Sequence, residues 1–132
     1  MNIKSSQTLV EEAKKSIETL SASEAKKLLD KQEITLIDVR DIRELWKEGT
    51  VQNSMHIPRG MLEFWLDPES SYYKANQIKD IKKMVLFCAL GLRSALATKS
   101  LADMGFKNVA HVDGGFDSLK KSGLKVIKKE KK

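Results

Sequence analysis

The chain has 132 residues, of which 41% are hydrophobic and 32% are charged. This length suits one domain with its own core and leaves no room for two, and the composition argues against a wholly disordered chain. The net charge of +6 resides in residues 120–132, which hold seven lysines and one glutamate, so the rest of the chain is electrically balanced. This pattern is typical of a solvated basic tail and gives no indication of nucleic-acid binding.

The single cysteine, Cys88, excludes an intramolecular disulfide. No apolar stretch approaches the roughly 18 residues of a membrane span, and the first residues lack the apolar run of a signal peptide. We therefore expect a cytoplasmic protein with no membrane partner, in a compartment that keeps the thiol reduced. One cysteine and two histidines, far apart in sequence, offer no metal-binding pattern, so we expect neither a metal nor another cofactor.

Residues 1–20 are predicted to form an N-terminal amphipathic helical extension. Polar residues surround a set of apolar positions that recur at helical spacing, namely Leu9, Val10, Ala13, Ile17 and Leu20. Such a helix packs its apolar face either on the rest of the chain or on a partner.

Residues 21–124 are predicted to form the main domain, in which helices and strands alternate. A capping-box pattern at residues 21–24 starts a short helix that ends near Asp30. Apolar runs predict strands at residues 34–39, 55–57, 84–87 and 108–112. Helices are predicted at residues 41–47, 60–66, 94–104 and 116–121, with helix or loop at residues 70–79. This alternation predicts an α/β domain with a mainly parallel sheet, followed by a lysine-rich tail at residues 125–132.

One loop of this domain combines features that favour an ionised cysteine. It lies between the apolar strand at residues 84–87 and the helix at residues 94–104, where open parallel sheets place their sites. A helix N-terminus carries partial positive charge and unpaired N–H groups, Gly91 permits a tight turn, and Arg93 adds a cation. We therefore predict a reactive Cys88, the alternative being an inert buried thiol. The predicted anion-binding loop consists of Ala89, Leu90, Gly91, Leu92, Arg93 and Ser94.

Four segments resemble, in the same order, the motifs of single-domain rhodaneses. They are Leu36-Ile-Asp-Val-Arg40 followed by Glu44, Met55-His-Ile-Pro58, Cys88-x-x-Gly91-x-Arg93-Ser94 and Asp113-Gly-Gly-Phe116. The resemblance extends from about Ser23 to Gly123. The sequence departs from the family pattern at two places, which we interpret as packing positions. The second motif usually opens with Gly-His-Ile-Pro, where this chain has Gly49-Thr-Val-Gln52, and Phe116 stands where a tryptophan is common.

The resemblance implies a rhodanese-like open sheet of about five mainly parallel strands with helices on both faces. It also implies a sulfurtransferase in which Cys88 carries a sulfane sulfur as a persulfide. The sulfur would come from a small donor such as thiosulfate and pass to a thiophilic acceptor, cyanide or a thiol. Asp38 and Arg40 are expected to shape the site around the loop.

Other functions stay open at this point. A persulfide relay between proteins would suit the apolar Ala89, Leu90 and Leu92, and a binding module without catalysis is disfavoured by the intact cysteine. A phosphatase is less expected, because related phosphatases have a loop one residue longer than the four residues that separate Cys88 from Arg93. His56 and His111 lie within predicted short strands, which favours structural roles for both.

Overall fold

The structure is a computed structural model that describes residues 2–131. Its strands are β1 (Glu18–Leu20), β2 (Thr35–Asp38), β3 (Thr50–Val51), β4 (Met55–His56), β5 (Met84–Phe87), β6 (Val109–Val112) and β7 (Val126–Ile127). Its α-helices are α1 (Ser6–Lys14), α2 (Ala22–Asp30), α3 (Ile42–Glu48), α4 (Leu62–Leu66), α5 (Ala75–Ile78), α6 (Leu92–Met104) and α7 (Gly115–Lys121). A short 3₁₀ helix, Arg59–Met61, precedes α4.

The main sheet has five parallel strands in the order β1-β6-β5-β2-β4. All four residues of β5 are buried, as are all four of β6, which is expected for strands covered on both faces. The predicted α/β fold with a mainly parallel sheet of five strands is therefore confirmed. A separate antiparallel pair joins β3 to β7.

The core has two parts, one on each face of the sheet. Alternate residues of β5 point to opposite faces, so that Val85 and Phe87 pack with α2 and α7 while Leu86 packs with α4 and α6. Cys88 directly follows this central strand and continues the alternation toward the face covered by α6. The sheet thus presents Cys88 at its carboxyl edge, with helices on both faces.

The N-terminal segment differs from the prediction of a helix through Leu20. The helix α1 ends at Lys14, and Glu18–Leu20 form an edge strand that pairs with β6. Pairing with β1 satisfies the backbone N–H and C=O groups on the outer edge of β6, and it places the Leu20 side chain in the core. These two gains are larger than the stabilisation that a longer helix α1 would bring. Val10 and Ala13 are the buried residues of α1, which packs against α6.

The C-terminal segment also differs from a simple basic tail. Val126–Ile127 form β7, paired with β3, because these apolar residues interrupt the lysines. Further on, the Lys131 ammonium lies 5.3 Å from the centre of the Trp46 ring. Met1 and Lys132, the end residues of the predicted extension and tail, lie outside the described residues. No helix in residues 2–131 is both long enough and apolar enough to cross a membrane.

A fully buried ion pair fixes the end of β2. The Arg40 guanidinium donates to both carboxylate oxygens of Asp38 at 2.8 to 3.2 Å and to the Gly49 carbonyl at 2.8 Å. It also lies 4.1 Å from the centre of the Phe116 ring. The Thr50 hydroxyl donates to the same carboxylate at 2.7 Å, so that both charges are hydrogen-bonded without water.

Arg40→Met is expected to lower the free energy of unfolding by about 3–5 kcal/mol, because it leaves the Asp38 carboxylate buried without its cation. The matched control is Arg43→Met, which removes an exposed pair with Asp41 and should cost much less stability, because solvent screens that pair. Urea unfolding of the wild type and both variants gives the comparison. Equal losses for the two variants would contradict the assignment of a buried pair.

His111 on β6 is another buried titratable side chain of the core. Its ring nitrogens lie 3.2 Å from the Ser94 hydroxyl and 3.0 Å from the Thr19 hydroxyl. Burial lowers the pKa of His111 from 6.5 to about 4, with a smaller lowering from Lys14 that Asp113 opposes. The imidazole is therefore neutral in the folded protein at neutral pH.

We expect the folded state to lose stability as the pH falls from about 6.5 to about 4, because only the unfolded chain then binds a proton at His111. Over the whole window the loss amounts to about 3 kcal/mol. Urea unfolding across this range should show a weaker pH dependence for His111→Gln than for the wild type. Identical slopes for His111→Gln and the wild type would refute the prediction.

Candidate active site

The loop after β5 closes tightly because of two glycine positions. Gly91 is the N-cap residue of α6 and has a φ of +104°, a conformation that side chains oppose. Gly115 approaches the loop so closely that a Cβ there would lie 2.4 Å from the Cys88 carbonyl oxygen. That carbonyl accepts the Phe116 N–H at 2.7 Å, so α7 is fastened to the loop. The Asp113-Gly-Gly-Phe116 segment therefore packs against the loop and holds its backbone in place.

The sulfur of Cys88 lies within a small cup of donors. Its Sγ accepts the N–H of Gly91 at 3.2 Å and the N–H of Ser94 at 3.3 Å, and the Ser94 hydroxyl oxygen lies 3.6 Å away. Ser94 is in the first turn of α6, where backbone N–H groups have no partner within the helix. Cys88 is only 1% exposed and packs in the apolar core. Its sulfur nevertheless contacts the hydrogen-bond donors of Gly91 and Ser94. Such donors favour an anionic sulfur.

The positive charge expected from Arg93 is not free. The Arg93 guanidinium donates to both oxygens of Glu44, at 2.8 and 3.0 Å, across 49 residues of sequence. This hydrogen bonding raises the pKa of Arg93, with a smaller contribution from the nearby Cys88, and it lowers the pKa of Glu44. The sequence predicts Arg93 as a cation beside the loop, and the structure adds that α3 places the Glu44 carboxylate opposite it, so this cation is paired.

The rim of the loop is apolar. Leu90 is 65% exposed and Leu92 is 48% exposed, while Ala89 is half-buried and Gly91 is buried. A cavity of about 300 Å³ adjoins this rim, lined by Arg40, Glu48, Ala89, Leu90, Phe116, Asp117 and Lys120. A molecule bound in this cavity would therefore contact Leu90 together with several charged side chains.

Asp38 and Arg40 lie beside the loop and hydrogen-bond to each other, not to Cys88. Arg40 contributes to the wall of the adjoining cavity, and a site-shaping role for the pair stays a prediction. His56 lies 2.8 Å from the Arg40 carbonyl oxygen, so its ring nitrogen is engaged away from the sulfur. Within residues 2–131 no three His, Cys, Asp or Glu side chains are grouped so that they could hold a metal ion.

Sequence reasoning missed two contributions to this site. Glu44 belongs to the capping box of α3, and this local role gives no sign that its carboxylate also reaches Arg93. His111 was expected to be structural, whereas its ring contacts Ser94 of the loop. A polar side chain within an otherwise apolar strand is the signal that singles His111 out, but the sequence does not identify its partner.

Comparison with protein families matches residues 21–122 to the rhodanese-like domain. Among curated proteins, rhodanese-like domain-containing protein 17 of Arabidopsis thaliana is 34% identical over 108 residues, covering 74% of this chain and 65% of that protein. Thiosulfate sulfurtransferase GlpE of Coxiella burnetii is 29% identical, covering 76% of this chain and 85% of the relative. A tRNA uridine(34) hydroxylase of Prochlorococcus marinus is 35% identical, covering 67% of this chain and 29% of the relative. The chain thus spans less than two thirds of the length of several curated relatives.

Two solved structures resemble the whole fold. A protein of unknown function from Rhodopseudomonas palustris, described as a possible tyrosine phosphatase, is 40% identical with a TM-score of 0.89, covering 96% of this chain and 97% of that one. The polysulfide-sulfur transferase homodimer of Wolinella succinogenes is 36% identical with a TM-score of 0.68, covering 93% of this chain and 87% of that one. Since the family match spans most of the sequence and includes the Cys88 loop, the chain belongs to the rhodanese-like domain family.

Proposed function

We propose that the protein is a sulfurtransferase that holds a sulfane sulfur as a persulfide on Cys88. The observation that supports this most directly is the pair of backbone N–H groups, from Gly91 and Ser94, that point at the sulfur. Relatives described as thiosulfate and polysulfide-sulfur transferases support the same reaction class. The four residues between Cys88 and Arg93 argue against a phosphatase, because a phosphoryl group needs a wider loop. A reducing, cytoplasmic setting would keep the thiol free to react.

The reaction has two half-reactions. The Cys88 thiolate attacks the outer sulfur of a donor such as thiosulfate, the donor S–S bond breaks, and sulfite leaves with the bonding electron pair. The resulting Cys88 persulfide anion is stabilised by the loop N–H groups. An acceptor, cyanide or a thiolate, then attacks the outer sulfur and the Cys88 thiolate leaves. This order of events is covalent catalysis with ping-pong kinetics and involves no metal or organic cofactor.

Incubation with excess thiosulfate is expected to add one sulfur atom to the intact protein, seen by mass spectrometry, and cyanide or dithiothreitol should remove it. Cys88→Ser should show no adduct and no transfer activity, because the nucleophile is lost while the side-chain volume is nearly kept. Circular dichroism and thermal unfolding check that the variant is folded. An adduct or transfer activity in folded Cys88→Ser would rule out the proposed chemistry.

A persulfide relay between proteins is the second candidate function. The observations that favour it are the exposed Leu90 and Leu92 at the loop rim and the pairing of Arg93 with Glu44. A site whose cation is already neutralised attracts the thiosulfate dianion weakly, whereas leucines at the rim suit contact with an apolar partner surface. Under this hypothesis small donors react slowly and a protein-bound persulfide is the physiological donor or acceptor.

Glu44→Gln is expected to raise kcat/KM for thiosulfate roughly fivefold at low salt, about 1 kcal/mol for a charge near the surface. The substitution frees the charge of Arg93, and glutamine preserves the capping box of α3. The gain should shrink as ionic strength rises, because salt screens the attraction.

The matched control is Glu18→Gln, which removes a carboxylate paired with Lys83 at the start of β1, away from the carboxyl ends of the strands. This control should leave kcat/KM for thiosulfate unchanged. Equal values for Glu44→Gln and the wild type would show that the Arg93–Glu44 pair does not limit use of an anionic donor.

A further inference from the structure

The Cys88 side chain is almost completely buried, so hydrogen-bonding groups of the protein are the immediate surroundings of its thiol. Its side chain is 1% exposed, and a donor placed over the loop would cover it further. The proposed reaction requires the thiolate, so the proton must leave before or during attack. The contacts of the thiol on the α6 face of the sheet therefore decide how that occurs.

A continuous row of polar atoms connects the thiol to the protein surface. The Cys88 Sγ lies 3.6 Å from the Ser94 Oγ, which lies 3.2 Å from His111 Nδ1. On the other side of the ring, His111 Nε2 lies 3.0 Å from the Thr19 Oγ1. Ser94 and His111 are completely buried, whereas Thr19 is exposed. Each member of the row can both donate and accept a proton, provided that the imidazole is neutral.

The sheet register places these groups in line. Thr19 of β1 and His111 of β6 are paired residues in adjacent parallel strands, so their side chains point to the same face. Ser94 reaches His111 from the first turn of α6, which lies on that face. The row thus depends on three separate elements, and β1 provides its outer end.

We propose that Ser94, His111 and Thr19 form a proton path through which the Cys88 thiol ionises, with neutral His111 exchanging one tautomer for the other. This inference rests on the proposed function in one respect, namely that the Cys88 thiolate is the reacting group. It gives a role to a buried histidine that the sulfur-transfer scheme leaves unused.

Each proton in the path moves to the next polar atom of the row. The S–H proton passes to the Ser94 oxygen as the Ser94 proton passes to Nδ1 of His111. The proton on Nε2 passes to the Thr19 oxygen, and the Thr19 proton passes to water. The products are a thiolate, a hydrated proton and His111 protonated on Nδ1 instead of Nε2, with no change in oxidation state.

The new tautomer also stabilises the thiolate. With a proton on Nδ1, the imidazole donates to the Ser94 oxygen, and the Ser94 O–H is then directed at the sulfur. With a proton on Nε2, the Ser94 O–H is directed at Nδ1, and the Ser94 oxygen accepts from the thiol. The position of one proton on His111 is therefore coupled to the charge on Cys88.

The groups around His111 are compatible with a neutral relay. The charged side chains that act on it are Lys14 of α1 and Asp113, which follows β6, and their effects oppose each other. The titratable group that it faces at the end of β5 is Cys88 itself, and the neighbour from α6 is the uncharged Ser94. The lowered pKa of His111 keeps the ring neutral above about pH 4, so one nitrogen is always free to accept.

Nitrogen NMR of the full-length, ¹⁵N-labelled protein tests the path directly. Between pH 5 and pH 10, His111 is expected to change from the Nε2–H to the Nδ1–H tautomer at the same pH at which Cys88 becomes reactive toward iodoacetamide. In Cys88→Ser the tautomer should stay constant over this range. A wild-type His111 that keeps one tautomer while Cys88 ionises would overturn the proposal.

The rate of alkylation by iodoacetamide gives a second readout. His111→Leu should move the pH midpoint of alkylation upward by about one unit, a roughly tenfold loss of rate below the midpoint. His56→Gln is the matched control and should leave the midpoint unchanged, because His56 bonds the Arg40 carbonyl instead. An unchanged midpoint in folded His111→Leu would count against the coupling between the His111 tautomer and the charge on Cys88. If that variant does not fold, the NMR experiment on the wild type decides.

The two hypotheses fail separately. Formation of a sulfur adduct on Cys88 with an invariant His111 tautomer would remove the proton path and leave the sulfurtransferase proposal standing. A tautomer change coupled to Cys88, without any sulfur adduct or transfer, would keep the path and remove the proposed activity.

Discussion

The sulfur of Cys88 is held mainly by backbone amides. The N–H groups of Gly91 and Ser94 point at it only because β5 ends, the chain turns and α6 begins within a few residues. This tight turn requires Gly91 in a left-handed conformation and Gly115 in close contact with the Cys88 carbonyl. A buried cysteine next to the same sheet without this turn would be an inert core residue.

The arginines around the loop are paired, and this limits what they can contribute. Arg93 is engaged with Glu44, Arg40 with Asp38, and the exposed Arg43 with Asp41. Stabilisation of an anionic sulfur therefore falls mainly on N–H dipoles, with a smaller contribution from the paired Arg93. Under the proposed function, such a site would hold a persulfide with a single negative charge better than a free dianion. The exposed Leu90 and Leu92 at the rim also disfavour binding of a free dianion.

The central part of the fold follows from local patterns in the sequence. The apolar run of β5, the glycine after Cys88 and the small residues of α6 predict a strand, a turn and a helix, and the structure has them in that order. The N-terminal segment could not be predicted in this way, because Ile17 and Leu20 fit a helical period as well as a strand end. The partners of Arg93 and Ser94 depend on packing between elements that are far apart in sequence, for which no local pattern exists.

The N-terminal segment belongs to the sheet more closely than the family match suggests. That match begins at residue 21, after β1, yet β1 pairs with β6 along its whole length and α1 packs on α6, the helix that starts beside Cys88. Thr19 supplies the outer partner of His111, and His111 contacts the serine that contacts the sulfur. A chain cut at the family boundary would lose the edge strand, which would uncover the edge of β6 and remove the Thr19 partner of His111. The sequence before residue 21 is therefore part of the environment of Cys88, even though it contains no residue of the loop.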